Sequence, residues 1–163
     1  MAHPPQVPGF INRNFDEIRY LGEGGFGVAW QAHAREPGDA VELDEDIDIH
    51  IDDEHRGPEA ELVVKMNKLG QGLLDALQRE HTFMDSEMFP DIKDCPNVMS
   101  SLAFKSYPEE GRGYLIMEYG GPTLSRKLWD HAQDGLPREE VKEISQQLVN
   151  AHRAQGRTTG PGR

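Results

Sequence analysis

Leu21-Gly22-Glu23-Gly24-Gly25-Phe26-Gly27-Val28-Ala29-Trp30 decides how this chain folds. Its glycines at 22, 24 and 27 form a G-x-G-x-x-G spacing. Glycine lets backbone N–H groups approach a phosphate with no Cβ in the way, and it accepts positive φ. Two unrelated nucleotide folds use that spacing, so the sequence that follows must separate them. In a dinucleotide-binding βαβ unit the last glycine opens a helix. Here Gly27 opens Val28-Ala29-Trp30-Gln31-Ala32-His33, strand-like in composition and followed by the turn Pro37-Gly38. On the other side, Phe15 to Leu21 also reads as a strand, with imperfect alternation. The glycines therefore sit at the tip of a hairpin over roughly 15–34, and a dinucleotide enzyme is disfavoured.

Charge is distributed unevenly. Residues 36–61 hold twelve acids and the single base Arg56, a net −11 of the chain's −12. The remainder is near-neutral, and a chain of 163 residues suits one modest domain. No basic face is offered to nucleic acid. One cysteine, Cys95, excludes an intrachain disulfide. No apolar run reaches the roughly 18 residues of a membrane span, and no signal pattern opens the chain. An intracellular, reducing compartment, cytoplasmic or nuclear, is expected.

Along the chain, 1–13 reads as a flexible proline-bearing leader. The acidic stretch 36–60 reads as a disordered insert bracketed by Pro37-Gly38 and Gly57-Pro58. Alternation of Ile47, Ile49 and Ile51 permits a short ribbon there, but like charges on one face oppose it. Asp44, Asp46 and Asp48 match the first ligand spacings of a calcium loop, yet Ile49 and His55 stand where the turn glycine and bidentate glutamate belong. His50 and His55 lie in this acidic run, which is compatible with weak divalent-ion affinity, but no Cys/His set has structural-zinc spacing, and solvated histidines are the favoured reading. Glu61 to Met66 is a strand that carries Lys65. Residues 71–88 form a helix with a buried stripe of Leu73, Leu77, Met84 and Met88. Glu80 lies on that stripe and needs a cationic partner, for which Lys65 is the candidate. Two more strands follow, at roughly 98–107 and over Tyr114 to Tyr119. Helices are expected from Leu124 to Ala132 and over 137–153, the latter with Val141, Ile144, Leu148 and Ala151 on one face.

The order is α+β: a five-stranded antiparallel sheet with one helix after the third strand, then two helices. Over roughly 14–152 it resembles the small lobe of a eukaryotic protein kinase and the start of its large lobe. Gly22, Gly24, Gly25, Phe26 and Gly27 resemble the loop over the ATP phosphates. Lys65, in Leu62-Val63-Val64-Lys65, resembles the lysine that holds the α- and β-phosphates, and Glu80 the helix acid that positions it. Pro96-Asn97-Val98 resembles the H-P-N-[IV] turn, with Cys95 in place of the histidine. Met117-Glu118-Tyr119 resembles the gatekeeper and hinge, whose backbone at Glu118 and Tyr119 pairs with adenine. Ala29 stands where the family has valine over adenine, and Val63 where it has alanine.

The resemblance implies a small lobe at 14–119 with the acidic insert, a hinge and first large-lobe helices at 120–153, and an unstructured tail at 154–163. It implies ATP as ligand, with magnesium arriving only with the nucleotide, and a Ser/Thr-type parent. Neither H-R-D nor D-F-G occurs; His152-Arg153-Ala154 puts alanine at the base position. Phosphoryl transfer needs those acids, so catalytic residues are absent and the chain is expected not to phosphorylate protein. It reads either as a truncated product or as a non-catalytic module whose acidic insert recruits a basic partner. Without a large lobe beneath them, Val141, Ile144 and Leu148 are expected to face water.

Overall fold

A computed structural model describes residues 5–35, 49, 51–56, 59–85, 98–122, 124–131 and 135–157. Two compact units divide the chain: 1–85 with 100–119, and 86–99 with 120–163. The first begins with a short helix, α1 (Gly9–Asn14), followed directly by β1 (Phe15–Glu23) and β2 (Gly27–Ala34). A 3₁₀ turn at Asp53–His55 leads to β3 (Leu62–Asn67) and α2 (Gln71–Asp85). β4 (Ser101–Tyr107), a second 3₁₀ turn at Pro108–Glu110 and β5 (Arg112–Glu118) complete it. The five strands form one antiparallel sheet in the order β1-β2-β3-β5-β4. The architecture is α+β, as the sequence order implies.

Strand residues alternate faces, and the sheet has a core on each. Val28, Trp30 and Ala32 of β2, Leu62, Val64 and Met66 of β3, and Tyr114 and Ile116 of β5 share one side. α1 covers it with Phe10 and Ile11, both buried. The Phe10 ring stacks on Tyr114 with centroids 4.1 Å apart and meets Tyr107 edge-on. The leader reading of 1–13 is thus corrected over 9–13. A six-residue helix is too short to show periodicity, but two large apolar side chains bind it to the sheet. Ile51, 4 % exposed, joins the same core, so the far end of the acidic segment is docked; residues 36–48 and 50 lie outside the described residues. The Asp44–Asp48 ligand spacing and the bulk of the insert fall there, as does the Cys95-Pro96-Asn97 turn.

The imperfect alternation of β1 has a structural cause. Its register with β2 shifts between Asp16 and Arg19, and Glu17 between them has φ 51°. This is the geometry of a bulge, which re-aims side chains along the strand.

α2 packs on the opposite face, over Val63, Leu115 and Met117. Its buried residues are Leu74 and Leu77, with Met84 partly buried; Leu73 is only half-buried, and Met88 lies outside the described residues. The helix is therefore rotated from the orientation the Leu73–Leu77–Met84 spacing suggests. Gly113 permits this: a Cβ there would come within 2.7 Å of Leu74 Cδ1 and 3.1 Å of Phe104.

Asn67 closes the end of β3 and is 1 % exposed. Its Nδ2 donates to the carbonyls of Lys68 and Gly111, each at 2.8 Å, and its Oδ1 accepts from the Gly113 N–H at 2.6 Å. Gly111 has φ 63°, left-handed, and caps the 3₁₀ turn. One amide thus ties β3 to the β4–β5 turn.

The second unit contains α3 (Leu124–Asp130) and α4 (Arg138–Arg157), joined by an ion pair between Lys127 and Glu140. The hydrogen bond from Lys127 holds the Glu140 carboxyl below its ordinary pKa. Val141, Leu148 and Val149 are exposed, as are Leu128 and Trp129. α4 continues to Arg157, past the start of the expected tail; 158–163 lie outside the described residues.

Replacing Asn67 by Leu strands two partly buried carbonyls and the buried Gly113 N–H. Urea unfolding of the variant should show a loss of about 2–4 kcal/mol, since each buried unsatisfied group costs about 1–3 kcal/mol.

Candidate functional site

The face that carries α2 also carries the residues singled out from the sequence. Register places Ala29 beside Lys65, Lys65 beside Leu115, and Val63 beside Met117. Val64 and Met66 point into the other core, so Lys65 must project from the α2 side. There its Nζ donates to Glu80 Oε1 at 2.7 Å and Oε2 at 2.5 Å. Both side chains are partly exposed, at 27 % and 38 %.

The rotation of α2 explains the placement of Glu80. Leu74, Leu77 and Met84 turn toward the sheet, while Leu73, Ala76 and Glu80 line a cleft beside Lys65 of the central strand. That cleft has a volume of about 230 Å³ and is walled by Phe26, Lys65, Leu73, Ala76, Leu77 and Glu80. The Leu73–Leu77–Glu80 stripe read from the sequence is thus mostly the cleft face of the helix. Leu77 belongs to both faces.

Phe26 enters from the β1–β2 turn, although its ring is 68 % exposed overall. The turn is closed by the Gly24 N–H donating to the Gly27 carbonyl at 2.9 Å, and by Lys68 N–H donating to Phe26 at 3.0 Å. Its glycines do different things. A Cβ on Gly24 or Gly25 would meet nothing within 4 Å, so the flap has free space around its backbone. A Cβ on Gly27 would lie 2.3 Å from the Met66 carbonyl oxygen. Gly27 is needed for the close approach of β2 to β3, and it starts a strand, not a helix.

The connector residues sit at the end of β5. Met117 is buried against Val63, Leu77 and Leu115, with Ala29 and Tyr119 packed beside them. The adenine pairing expected at Glu118 and Tyr119 changes in one respect. The Glu118 N–H already donates to Ser100 at 3.4 Å and the Tyr119 N–H to Glu61 at 3.1 Å. Neither N–H is free for a purine nitrogen. The structure brings Phe26, Lys65 and Glu80 together in the cleft. Gly22, Gly24, Gly25 and Gly27 belong to the flap, and Ala29, Val63 and Met117 to the adjoining apolar wall.

Polar groups on this face escaped the sequence reading. Arg19 donates to Gln31 Oε1 at 2.5 Å, and Gln31 Nε2 donates to Glu61 at 2.6 Å, a relay across β1, β2 and the entry to β3. Gln31 is the buried member, 6 % exposed. His81, next to Glu80, stacks on Phe104 with ring centroids 5.3 Å apart, and its Nδ1 is 2.6 Å from Ser101 Oγ. Its place one residue after a paired acid and toward the sheet was the only available signal.

No family model matches this chain, and no curated protein matches it. No helix among the described residues is long and apolar enough to cross a membrane.

Burial lowers the His81 pKa from its ordinary 6.5, opposed in part by the Asp85 carboxylate. A histidine whose charged form is disfavoured in the fold takes up its proton more readily when unfolded. Its contribution is therefore present above pH 6.5 and is lost as pH falls toward the lowered value. In urea titrations across that window, His81→Gln should lose less stability on acidification than the parent protein; parallel curves would show that His81 does not titrate this way.

Proposed function

We propose that this chain is a nucleotide-binding lobe of the protein-kinase type, from a Ser/Thr-type kinase, that binds ATP and does not itself transfer phosphate. The observation that carries the reading is the Lys65–Glu80 pair. A helix carboxylate holds an ammonium group, with both oxygens engaged, in a cleft whose rim is a glycine flap. An ammonium held there suits phosphate oxygens, since charge-assisted hydrogen bonds are among the stronger ones. The free space around Gly24 and Gly25 suits an approach of backbone N–H groups to the same anion. Ala29, Val63 and Met117 supply the apolar wall a base needs.

In this reading magnesium comes with the nucleotide. The sequence holds no H-R-D aspartate to orient a hydroxyl and no D-F-G aspartate to ligate the metal. The adenine contacts at the connector come from carbonyl oxygens, because the N–H groups of Glu118 and Tyr119 are engaged. The concentration of negative charge in 36–61 supports a second role for the same chain, recruitment of a basic protein by long-range attraction.

Calorimetric titration with ATP tests the first role. Lys65→Met should weaken binding at least about tenfold, the loss of one charge-assisted hydrogen bond of about 1.5–3 kcal/mol. The fold should change by less than about 1 kcal/mol, because the pair is partly exposed. An ATP affinity that is absent in the parent, or unchanged in the folded variant, rejects the assignment.

A further inference from the structure

The turn that follows the acidic segment presents a different chemistry, which rests on side chains outside the Lys65–Glu80 cleft and meets the nucleotide reading only at Glu118. One ligand atom from each of Asp52, Glu54 and His55 lies within 4.8 Å of the others. His55 is not a solvated histidine: its side chain is 20 % exposed. Its Nε2 lies 3.2 Å from Glu118 Oε1. Its Nδ1 is buried, has no hydrogen-bond partner among the described residues, and faces Glu54 Oε1 at 3.7 Å.

In the tautomer that donates Nε2–H to the Glu118 carboxylate, Nδ1 carries the lone pair that a metal would use. A histidine that binds a metal through one nitrogen and donates the other N–H to a carboxylate is the usual outer arrangement of a metal site.

The turn is fixed before any ion arrives. Ile51 is anchored in the core beneath it. The His55 N–H donates to the Asp52 carbonyl at 2.9 Å. Arg56 clamps the far side, its Nε donating to the Ile51 carbonyl at 2.9 Å and its Nη1 to the Arg35 carbonyl at 3.0 Å. Neighbouring ligands around zinc, at bonds of about 2.0–2.2 Å, stand roughly 3.3–3.6 Å apart. The spacing here is somewhat wider, and rotation of the exposed Glu54 and Asp52 side chains can close it.

We propose that Asp52, Glu54 and His55 form a divalent transition-metal site of the zinc class, with Glu118 as the residue that positions the imidazole. Two carboxylates and one imidazole leave coordination positions for water or for an exogenous ligand. The imidazole nitrogen favours zinc, cobalt or nickel over magnesium and calcium, which prefer oxygen throughout. Acids from Glu36 to Asp48 precede the turn in sequence and raise the local concentration of cations.

Titration of the full chain with zinc chloride, followed by calorimetry, tests this. One site should appear, undisturbed by millimolar magnesium. His55→Gln should weaken it at least about 100-fold, and Glu118→Gln about 10- to 100-fold, the range seen when an outer partner is removed. Cobalt should give visible absorption bands that His55→Gln abolishes. Glu54 is exposed, so Glu54→Gln leaves the fold intact and should still weaken the site about tenfold or more, even if the His55 variant fails to fold. Absence of a zinc site, zinc binding that survives both Glu54→Gln and His55→Gln, or equal affinity for magnesium would overturn the proposal.

Discussion

Alternation along β3 constrains everything else in the first unit. Leu62, Val64 and Met66 must enter the core that holds Trp30 and Ile116, so Val63 and Lys65 must emerge on the side of α2. A register slip of one residue would drive the ammonium of Lys65 into that apolar core, at the cost of desolvating an unpaired charge. Two features away from the cleft oppose such a slip. Gly27 is squeezed against the Met66 carbonyl, where no side chain fits. Asn67 locks the end of the same strand to the turn between β4 and β5 through two hydrogen bonds, to Gly111 and from Gly113. The position of one lysine thus follows from close packing and hydrogen bonding several residues away.

The Lys65–Glu80 pair contributes placement more than stability. Partly exposed ion pairs are worth about 0–1 kcal/mol. What the pair does is fix a long, flexible side chain in one direction. Lys65 would otherwise sample many rotamers, and ordering it costs entropy that a ligand would have to offset. The helix contributes one carboxylate to the cleft and turns its neighbouring apolar residues to the sheet. Gly113 makes that rotation possible by letting Leu74 sit close to β5.

Much of the first unit was legible in the sequence, because its signals are local. Glycines followed by a strand define a hairpin whatever lies beyond it. An acid at helical spacing among leucines, after a strand ending in lysine, names its partner. What was not legible depended on contacts between distant residues. The α1 helix has one and a half turns and is held by Phe10 against Tyr114, a contact across the sheet. Leu73 and Leu74 are equally apolar in sequence, and only the missing side chain at Gly113 decides which is buried. Asn67 and Gln31 look like ordinary polar strand residues until their partners are in place. His55 reads as one more residue of an acidic run until Glu118, 63 residues later, is found beside it. Of the three α4 residues expected from helical spacing and the family resemblance to face water, Val141 and Leu148 are exposed and Ile144 is half-buried.

If the chain binds ATP as proposed, the flap and the ammonium of Lys65 address one anion. Amide and lysine-ammonium NMR signals, followed while ATP is added, test this most directly. The account predicts that Gly24, Gly25 and the Lys65 Nζ respond together at a common affinity, with smaller changes at Val63 and Met117. Saturating nucleotide that leaves those signals unmoved, or that shifts only residues outside the cleft, would contradict it.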